Sequence, residues 1–323
     1  MKYRKLGRTD LMVSEIAVGC SGYWGNHRFP EDKAASIIHE AFERGVNFFD
    51  TGHNYCNYNA EPRLGRAIKE ILSGNDRDGL VISTKAGTIV PSASIFRPRA
   101  GSHNDLSPDY IEKTCAKSIR NLNCDHLDIF QLHGIAEPQV TEPLIDRLMS
   151  MKAKGMFRCL GVNTHSLSVM QFVSGHPDIF DMVLIDYNVI QLDREPVIDE
   201  LYRAGIGVVA GTVLAQGHLV KGKIGSLGSR ADIWYLARAM LKPAGRRLSR
   251  KAAAMRETLL LSNEMTGAQA AFAYVLGNPA ISSCVFGTTR LTNLIEIIDV
   301  AGKELEEDCR MAIKRSFDEL GAG

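Results

Sequence analysis

The sequence predicts an α/β protein with the architecture of a closed (β/α)8, or TIM, barrel. Short apolar or β-branched runs recur along the chain, segments with apolar residues at helical spacing separate them, and the two alternate almost from end to end. This alternation is typical of parallel strands joined by crossover helices, and eight such units can close a sheet and remove its edges. An open doubly wound sheet is the alternative architecture.

Eight segments are predicted to be the barrel strands, because each is a short run of apolar and β-branched residues bounded by turn-forming or polar residues. They are residues 15–19, 46–50, 79–85, 127–133, 158–163, 182–186, 207–211 and 282–287.

The connections carry helix start and stop signals, with Ser, Asp or Pro before several of the helical segments and Gly after them. The clearest helices are predicted at 31–45, 108–122 and 142–155.

Residues 3–14 run from hydrophobic residues through a turn to hydrophobic residues again, which predicts an N-terminal β-hairpin that closes the bottom of the barrel. The segments 88–107 and 212–249 are longer than simple connectors, and long βα loops at the C-terminal face are usually functional. We expect one barrel domain over residues 1–323.

Composition narrows the function classes. The 323 residues are 45% hydrophobic, and 38 Lys and Arg balance 37 Asp and Glu, so nothing in the net charge favours a nucleic-acid or membrane partner. The partner expected is a small molecule. Seven scattered cysteines without a C-x-x-C pair favour a reducing cytosol and no metal site. The polar N-terminus and the lack of a long apolar run predict a soluble, cytoplasmic chain. The oligomeric state stays open.

Four polar side chains stand at or just after predicted strand ends, where the working groups of such barrels lie. They are Asp50 and Tyr55 in FFDTGHNY, then Lys85 and His133. Singly, each has a structural explanation, such as a surface tyrosine, a salt-bridged lysine or a core histidine. Together they suggest chemistry, because a cation beside a phenol stabilises the phenolate and lowers the tyrosine pKa from about 10 toward neutral. Such a tyrosine is a general acid near physiological pH.

Longer stretches around these residues resemble the aldo-keto reductase superfamily, and the similarity covers nearly the whole chain. The matching segments are 2–19, FFDTGHNYCNYNAEPRLGRAI at 48–68, STKAG at 83–87, SIRNLNCDHLDIFQLHG at 118–134, and NPAISSCVFGTTRLTNLIE at 278–296. The resemblance implies that Tyr55 donates a proton to a substrate carbonyl while a reduced nicotinamide delivers hydride. It also implies that Lys85 and Asp50 tune the tyrosine and that His133 orients the carbonyl oxygen.

By the same resemblance, the cofactor is NADP(H), with NAD possible, and Arg290 is the candidate partner of the adenosine 2′-phosphate. The candidate cofactor-binding residues are Gly19, Cys20, Asn163, Thr164, Gly211, Thr212, Leu214, Gly217, Gly287, Thr288, Arg290 and Asn293. Lys223 is a weaker candidate near the pyrophosphate.

The chain departs from the family pattern on the cofactor side. Leu184 stands where the family has a Gln, and Gly211 stands where an aromatic residue stacks on the nicotinamide ring. Asn293 replaces a basic or amide residue, and Ile297 replaces an Asn. We expect weaker nicotinamide contacts, at a cost of around 1 to 2 kcal/mol for each lost interaction.

The substrate side is defined only by the mouth loops. Trp24 and His53 are the candidate substrate-binding residues, although aromatic side chains in such loops also seal the barrel top. Tyr23, Phe96 and Trp234 lie in the same group of predicted loops. Neither the substrate nor the physiological direction follows from these residues.

Other readings stay open. A barrel of the same fold with Leu184 and Gly211 could bind a nucleotide without catalysis, or use the four polar groups for other proton chemistry. A metal-dependent barrel hydrolase would draw on His53, His133, His165, Asp50 and Asp186, since imidazoles and carboxylates bind divalent metals. Against a hydrolase, the first strand ends in AVGCSG without a ligand pair, and Lys85 places a competing cation among the ligands.

Overall fold

Eight parallel strands close into a barrel with helices between successive strands, which confirms the predicted fold class. The computed structural model describes residues 1–72, 77–90, 102–220 and 243–321, without the side chains of 243–250 and 321. Parts of both long βα loops, with Phe96, Lys223 and Trp234, lie outside the described residues.

The barrel strands follow the chain in order, each pairing in parallel with its neighbours, and the strand at 157–164 pairs with the one at 182–186. They are β3 (Ile16–Gly19), β4 (Phe48–Asp50), β5 (Val81–Ala86), β8 (Leu127–His133), β9 (Phe157–Thr164), β10 (Met182–Asp186), β11 (Gly207–Gly211) and β12 (Ile281–Phe286).

Two antiparallel pairs lie outside the barrel: the N-terminal hairpin of β1 (Tyr3–Lys5) and β2 (Met12–Ser14), and β6 (Thr88–Ile89) with β7 (His103–Asn104). The helices are α1 (Glu31–Glu43), α2 (Ala60–Leu72), α3 (Pro108–Asn121), α4 (Glu142–Ala153), α5 (Leu167–Ser174), α6 (Glu195–Arg203), α7 (Pro243–Leu259), α8 (Gly267–Leu276), α9 (Leu291–Ile298) and α10 (Glu307–Gly321). In the described ranges, none of these helices has the length and apolarity needed to cross a bilayer.

The N-terminal hairpin packs into the barrel, as predicted. Leu6, Leu11 and Val13 are buried in one apolar cluster with inward-facing strand residues such as Phe48 and Met182. The hairpin turn fits closely, because a Cβ at Gly7 would lie 2.3 Å from the Gly207 nitrogen, and Gly7 itself has φ +54°. Only glycine meets both conditions without strain. This plug closes the N-terminal end and leaves the C-terminal end as the open mouth.

Several predicted boundaries were wrong by one or two residues. The second barrel strand begins at Phe48 instead of 46, because Asn47 turns its side chain to the hairpin. Its amide donates to the Met12 carbonyl and accepts from the Ser14 N–H, each at 2.8 Å. The third barrel strand begins at Val81, after a single 3-10 turn at Arg77–Gly79. Side-chain contacts of this kind leave no periodic signal in the sequence.

Candidate active site

A buried ion pair lies at the base of the barrel mouth. The Lys85 Nζ on β5 donates to the Asp50 Oδ2 at 2.5 Å and to the Thr51 carbonyl at 2.7 Å. The Lys85 and Asp50 side chains are 1% and 6% exposed. Adjacent parallel strands bring the two residues together, because Asp50 ends β4 and Lys85 lies near the end of β5. The two charges therefore stabilise each other in a site that excludes water.

Two further side chains hold the carboxylate, and the sequence analysis did not identify them. The Asp50 Oδ1 accepts from the Ser83 hydroxyl and from the Gln131 amide, each at 3.0 Å, and Gln131 also donates to Ser83 at 2.6 Å. All three side chains are buried. The available signal was position, since Ser83 and Gln131 are polar residues two positions before Lys85 and His133, and residues two apart on a strand point to the same side.

Tyr55 lies directly above this pair. The Lys85 Nζ is 5.2 Å from the centroid of the Tyr55 ring. Gly52 allows this position, because a Cβ there would lie 3.1 Å from ring carbons of Tyr55. The structure therefore brings Asp50, Lys85 and Tyr55 together at one end of the barrel.

The loop after Tyr55 is strained and anchored. Cys56, Asn57 and Tyr58 have φ of +56°, +56° and +66°, in the left-handed region that non-glycine residues rarely adopt. The Cys56 thiol donates to the Gly22 carbonyl at 3.0 Å. Strained backbone of this kind persists only where neighbouring contacts hold it, and it is concentrated at functional sites.

The expected fall of the Tyr55 pKa was wrong for this structure. Burial is the largest influence and raises the pKa of Tyr55 above its usual 10, the positive charge of Lys85 lowers it, and the Asp50 carboxylate raises it again. The fall expected from the sequence depends on the Lys85 ammonium acting alone. Because Asp50 neutralises that ammonium, and because Tyr55 is half-buried, the neutral phenol is the favoured form.

His133 completes the group at the end of β8. Its ring meets the Tyr55 ring edge-to-face, with 5.7 Å between the centroids. Burial, followed by the positive charges of Lys85 and His165, lowers the pKa of His133 to about 3. The imidazole is therefore neutral at physiological pH. Its Nδ1 is buried and has no hydrogen-bond partner among the described residues.

The two candidate substrate-binding residues have partners within the protein. His53 is buried with its Nδ1 3.2 Å from the Glu61 Oε2, and Glu61 also accepts from Thr84 at 2.7 Å. Trp24 is 1% exposed, and its indole N–H donates to the Ala34 carbonyl at 3.1 Å. Both side chains help to fix the mouth loops. Their contact with a substrate stays a prediction.

Three of the predicted cofactor residues cluster where β3 and β12 end. Gly19 pairs in register with Asp50, and a Cβ at Gly287 would lie only 3.0 Å from the Gly19 carbonyl. Cys20 is fully buried, and its N–H donates to the Asp50 carbonyl at 2.7 Å. Bare backbone at Gly19 thus lies beside Asp50, with Gly287 packed against Gly19.

The nicotinamide side shows the departures noted in the sequence. Asn163 and Thr164 are buried at the end of β9, and the Asn163 amide donates to the Leu184 carbonyl at 3.3 Å. The Leu184 side chain belongs to the apolar cluster inside the barrel. Gly211 leaves bare backbone at the end of β11, where a Cβ would lie 3.2 Å from Leu184. Polar side chains on β9 remain available to a carboxamide, whereas β10 and β11 supply none at these two positions.

The segment after β11 has an irregular backbone. Thr212, Ala215, Gln216 and Gly217 have φ of +53°, +46°, +59° and +93°, whereas Leu214 is buried beneath them. Among the described residues, none lies within 4 Å of the place that a Cβ at Gly217 would take. Successive N–H groups in such turns form concave anion-binding surfaces.

The predicted phosphate residues lie at the start of α9. The Thr288 hydroxyl accepts from the Arg290 N–H at 3.1 Å, and Arg290 precedes the first residue of the helix. Arg290 is exposed, and Asn293 is half-buried one turn further on. Glu296, on the same helix, accepts from the Thr266 hydroxyl at 2.7 Å. A helix N-terminus with a cation is a favourable place for an anion.

Across the parts of the chain with described side chains, no group of three or more His, Cys, Asp or Glu residues is arranged to hold a metal ion. Those described residues thus offer no ligand set for the metal-dependent hydrolase alternative.

Comparison with known proteins now adds to this geometry. The family model described as the aldo/keto reductase family matches residues 15–316. The chain belongs to the aldo/keto reductase family. Members of this family are oxidoreductases that generally use nicotinamide cofactors.

The chain is similar to several curated members of the family. It is 27% identical over 301 residues to an uncharacterized oxidoreductase, YqkF, of Bacillus subtilis (strain 168), with 93% of this chain and 91% of that protein covered. It is 28% identical to an L-galactose dehydrogenase of Arabidopsis thaliana, with 95% and 89% covered. It is 29% identical to a probable voltage-gated potassium channel subunit beta of the same plant, with 92% and 90% covered.

The fold also matches a solved structure, an aldo-keto reductase of Bacillus halodurans in its holo form. The TM-score is 0.76, the sequence identity is 23%, and the match covers 98% of this chain and 96% of the other. This match supports the barrel architecture.

Proposed function

We propose that this protein is an NADP(H)-dependent oxidoreductase that reduces an aldehyde or ketone, or oxidises the alcohol, with Tyr55 as general acid and base. One observation carries the proposal: the Lys85 ammonium is fixed between the Asp50 carboxylate at 2.5 Å and the Tyr55 phenol above it. A proton donor, a cation and a buried carboxylate in this order can transfer a proton to a carbonyl oxygen.

Each residue has a separate role in the proposal. Tyr55 donates its proton to the carbonyl oxygen as negative charge develops there, and Lys85 stabilises the phenolate that remains. Asp50 keeps the ammonium in place and lowers the cost of burying it. His133 is neutral, so a ring N–H can donate to the carbonyl oxygen and orient it without competing for the proton.

The raised Tyr55 pKa fits reduction better than a lowered one. A phenol with a pKa above 10 is protonated at physiological pH and therefore holds the proton that reduction consumes. The ammonium of Lys85 is retained as well, because burial lowers its pKa but the Asp50 carboxylate and the Tyr55 phenol outweigh burial and raise it. In the alcohol-oxidation direction the phenolate is the base, so oxidation should speed up as pH rises.

The residues present fit a nicotinamide cofactor in part. Asn163 is in register with His133 on the neighbouring strand, and Gly211 leaves bare backbone at the end of β11, where a Cβ would lie 3.2 Å from Leu184. Arg290 at the start of α9 would bind the adenosine 2′-phosphate by donating hydrogen bonds to it, which favours NADP over NAD. The cofactor, when bound, supplies the hydride. Asn163 and Thr164 would hold the carboxamide, without help from position 184.

The whole chain, residues 1–323, is proposed to act as one barrel domain with a small-molecule carbonyl or alcohol as its substrate. All seven cysteines are free thiols, which supports a reducing compartment such as the cytoplasm.

The test combines cofactor binding with turnover. NADPH and NADH are titrated while protein fluorescence is followed, and aldehyde-dependent cofactor oxidation is then measured for the wild type and for Tyr55→Phe. We expect sub-millimolar binding of NADPH, tighter than that of NADH, and loss of turnover without loss of binding in the variant. The reductase proposal fails if neither cofactor binds at sub-millimolar concentration.

A non-catalytic, nucleotide-binding role is the second candidate. Leu184 and Gly211 favour it, because they remove contacts from the nicotinamide end while leaving the adenosine end in place. A similar chain named as a probable channel subunit beta shows that the curated relatives are not all named as reductases. The same titration separates the two roles, since this candidate predicts cofactor binding with no carbonyl turnover by the wild type.

A further inference from the structure

A second histidine–carboxylate pair lies at the barrel mouth, outside the catalytic group. The His165 Nδ1 is 2.6 Å from the Asp186 Oδ2, and the two residues follow and end the neighbouring strands β9 and β10. The Asp186 side chain is 18% exposed, whereas that of His165 is 72% exposed. The carboxylate thus fixes one ring nitrogen and leaves the other, Nε2, directed away from it.

A buried arginine holds the backbone of both residues. Arg194 donates from one guanidinium nitrogen to the Asp186 carbonyl at 2.7 Å and from the other to the His165 carbonyl at 3.1 Å. Arg194 is 9% exposed. An exposed histidine in a loop ordinarily samples several rotamers and backbone positions. Here a carboxylate orients the ring, and a guanidinium ties the two loops together, so the pair is preorganised.

The pair faces the catalytic group across one strand spacing. His133 at the end of β8 is in register with Asn163, two residues before His165 on the adjacent strand. The charge of His165 is close enough to lower the pKa of His133, and the hydrogen bond to Asp186 raises the pKa of His165 itself. A substrate whose carbonyl lies at His133 and Tyr55 would therefore extend past His165.

We propose that His165, oriented by Asp186, is a binding site for an anionic group, a carboxylate or a phosphate, on the substrate that is reduced at Tyr55. This inference rests on the proposed reductase function and adds a substrate class to it. When Nδ1–H donates to Asp186, a neutral imidazole presents a lone pair at Nε2, which repels an anion. A protonated imidazole presents Nε2–H, a charge-assisted donor.

On balance, the charges around His165 favour its protonated form. Asp186 stabilises the imidazolium, partial burial and the positive charge of Arg194 oppose it, and the neighbouring His133 is neutral. The pKa of His165 is raised above its usual 6.5, so anion binding should be present at low pH and lost as pH rises through that raised value.

The kinetic test uses substrates that differ only in charge. Rates are measured with 2-, 3- and 4-carboxybenzaldehyde and with their methyl esters, because the three isomers place the carboxylate at different distances from the carbonyl. We expect at least one acid to exceed its ester in kcat/KM by roughly tenfold at pH 6, since hydrogen bonds to charged groups are the stronger class. The acid-to-ester ratio should fall toward one at pH 9 and in His165→Gln.

The chain offers a matched control. His126 Nδ1 lies 2.8 Å from the Asp125 Oδ1, another histidine–aspartate pair, but it immediately precedes β8 at the opposite end of the barrel. His126→Gln removes the same chemistry and should leave the acid-to-ester ratio as it is in the wild type. An equal fall of the ratio in both variants would show a general charge effect and overturn the proposal.

A binding measurement decides the proposal independently of turnover. The nine histidines are followed by NMR, and the His165 signal is assigned as the one missing in His165→Gln. Sodium benzoate should raise the pKa of that signal, by up to about one unit for tenfold tighter binding to the protonated form, whereas benzamide should not. Inorganic phosphate in a third titration distinguishes a phosphate site from a carboxylate site.

The outcomes separate the two proposals. If the wild type reduces neither acids nor esters but benzoate shifts the His165 signal, the reductase proposal fails and the anion site stands. If esters are reduced but no acid is preferred, the anion site is wrong and the reductase proposal stands. If benzoate and phosphate leave the His165 signal unchanged, the anion site is wrong whatever the turnover. A His165 that serves only to stabilise its loop gives both of these last results.

Discussion

The two halves of the barrel mouth differ in how their polar groups are held. The side proposed to be catalytic, the catalytic half, is built by β4, β5 and β8, which bring Asp50, Lys85 and Gln131 into one buried hydrogen-bonded network beneath Tyr55. The side proposed to hold the cofactor, the cofactor half, is built by β10 and β11, which bring Leu184 and bare backbone at Gly211. Proton transfer demands fixed geometry, whereas cofactor binding is spread over many contacts and tolerates the loss of a few.

The largest effect expected is that of Tyr55→Phe on turnover. The variant keeps the ring and its contact with His133 but removes the proton, so kcat should fall by about a hundredfold to ten-thousandfold. Steady-state carbonyl reduction measures kcat, and fluorescence titration checks that NADPH still binds.

Tyr58→Phe is the matched control, because Tyr58 lies in the same loop and its hydroxyl donates to a backbone carbonyl, that of Val90, at 3.3 Å. Its kcat should stay within a few-fold of the wild type. Equal losses in the two variants would mean that the loop, and not the Tyr55 proton, limits turnover.

Lys85→Met should test whether the catalytic half depends on its buried ion pair. The substitution leaves the Asp50 carboxylate buried without its ammonium, and breaking a buried pair costs about 3–5 kcal/mol of unfolding free energy. Urea unfolding measures this loss. The double variant Lys85→Met/Asp50→Asn should recover part of the stability, because the unpaired charge is gone, and none of the activity. Full activity in the double variant would contradict the role assigned to Lys85.

Glu61 supports the catalytic half through its hydrogen bond from Thr84, the neighbour of Lys85 on β5, and its contribution should depend on pH. Burial alone would raise the pKa of Glu61, but hydrogen bonds from His53 and Asn121 hold it below its usual 4.5. A depressed pKa stabilises the folded state above the unfolded value, and the contribution is lost as pH falls through the folded value. Glu61→Gln should therefore cost about 1–3 kcal/mol at pH 7.

The stability difference between wild type and Glu61→Gln should narrow when unfolding is measured below pH 4.5. Glu70→Gln is the control, since that carboxylate lies on the same helix but is 66% exposed. It should change unfolding little at either pH. A constant difference between wild type and Glu61→Gln across the acid range would show that Glu61 is not ionised in the folded protein.

The positions of the residues in the catalytic half could be predicted from the sequence, but the pKa of Tyr55 could not. Strand order and period place Asp50, Lys85 and His133 at one mouth, because residues that end parallel strands share an edge. The direction of the Tyr55 pKa shift was not predictable, since it depends on how much water reaches the phenol and on how fully Asp50 neutralises Lys85. Both depend on distances between residues far apart in the chain.

In the cofactor half, the unusual residues could be predicted from the sequence, but their structural consequences could not. The departures at Leu184 and Gly211 were evident from the sequence because the resemblance supplied the expected residues. The consequence of these departures could be seen only in the structure. The Leu184 side chain packs in the apolar cluster inside the barrel, so an apolar contact replaces the polar contact that a Gln would offer. The pairing of His165 with Asp186 was likewise hidden, because the two residues are 21 positions apart and meet only through strand pairing.

The smallest effect expected is an increase in affinity for NADPH. Leu184→Gln/Gly211→Tyr gives the cofactor half the family's amide and aromatic residue, and these contacts together should tighten NADPH binding by about 1–2 kcal/mol, or roughly tenfold. Both changes are needed, because a Cβ at Gly211 would lie 3.2 Å from the Leu184 side chain. Fluorescence titration measures the Kd, and circular dichroism checks the fold.

Gly211→Ala is the control, since it adds the crowding of a Cβ without a ring to stack on the nicotinamide. It should bind NADPH no more tightly than the wild type. If the folded double variant also shows an unchanged Kd, the ring must already be packed against another part of the chain, and the cofactor half is then as complete as the catalytic half.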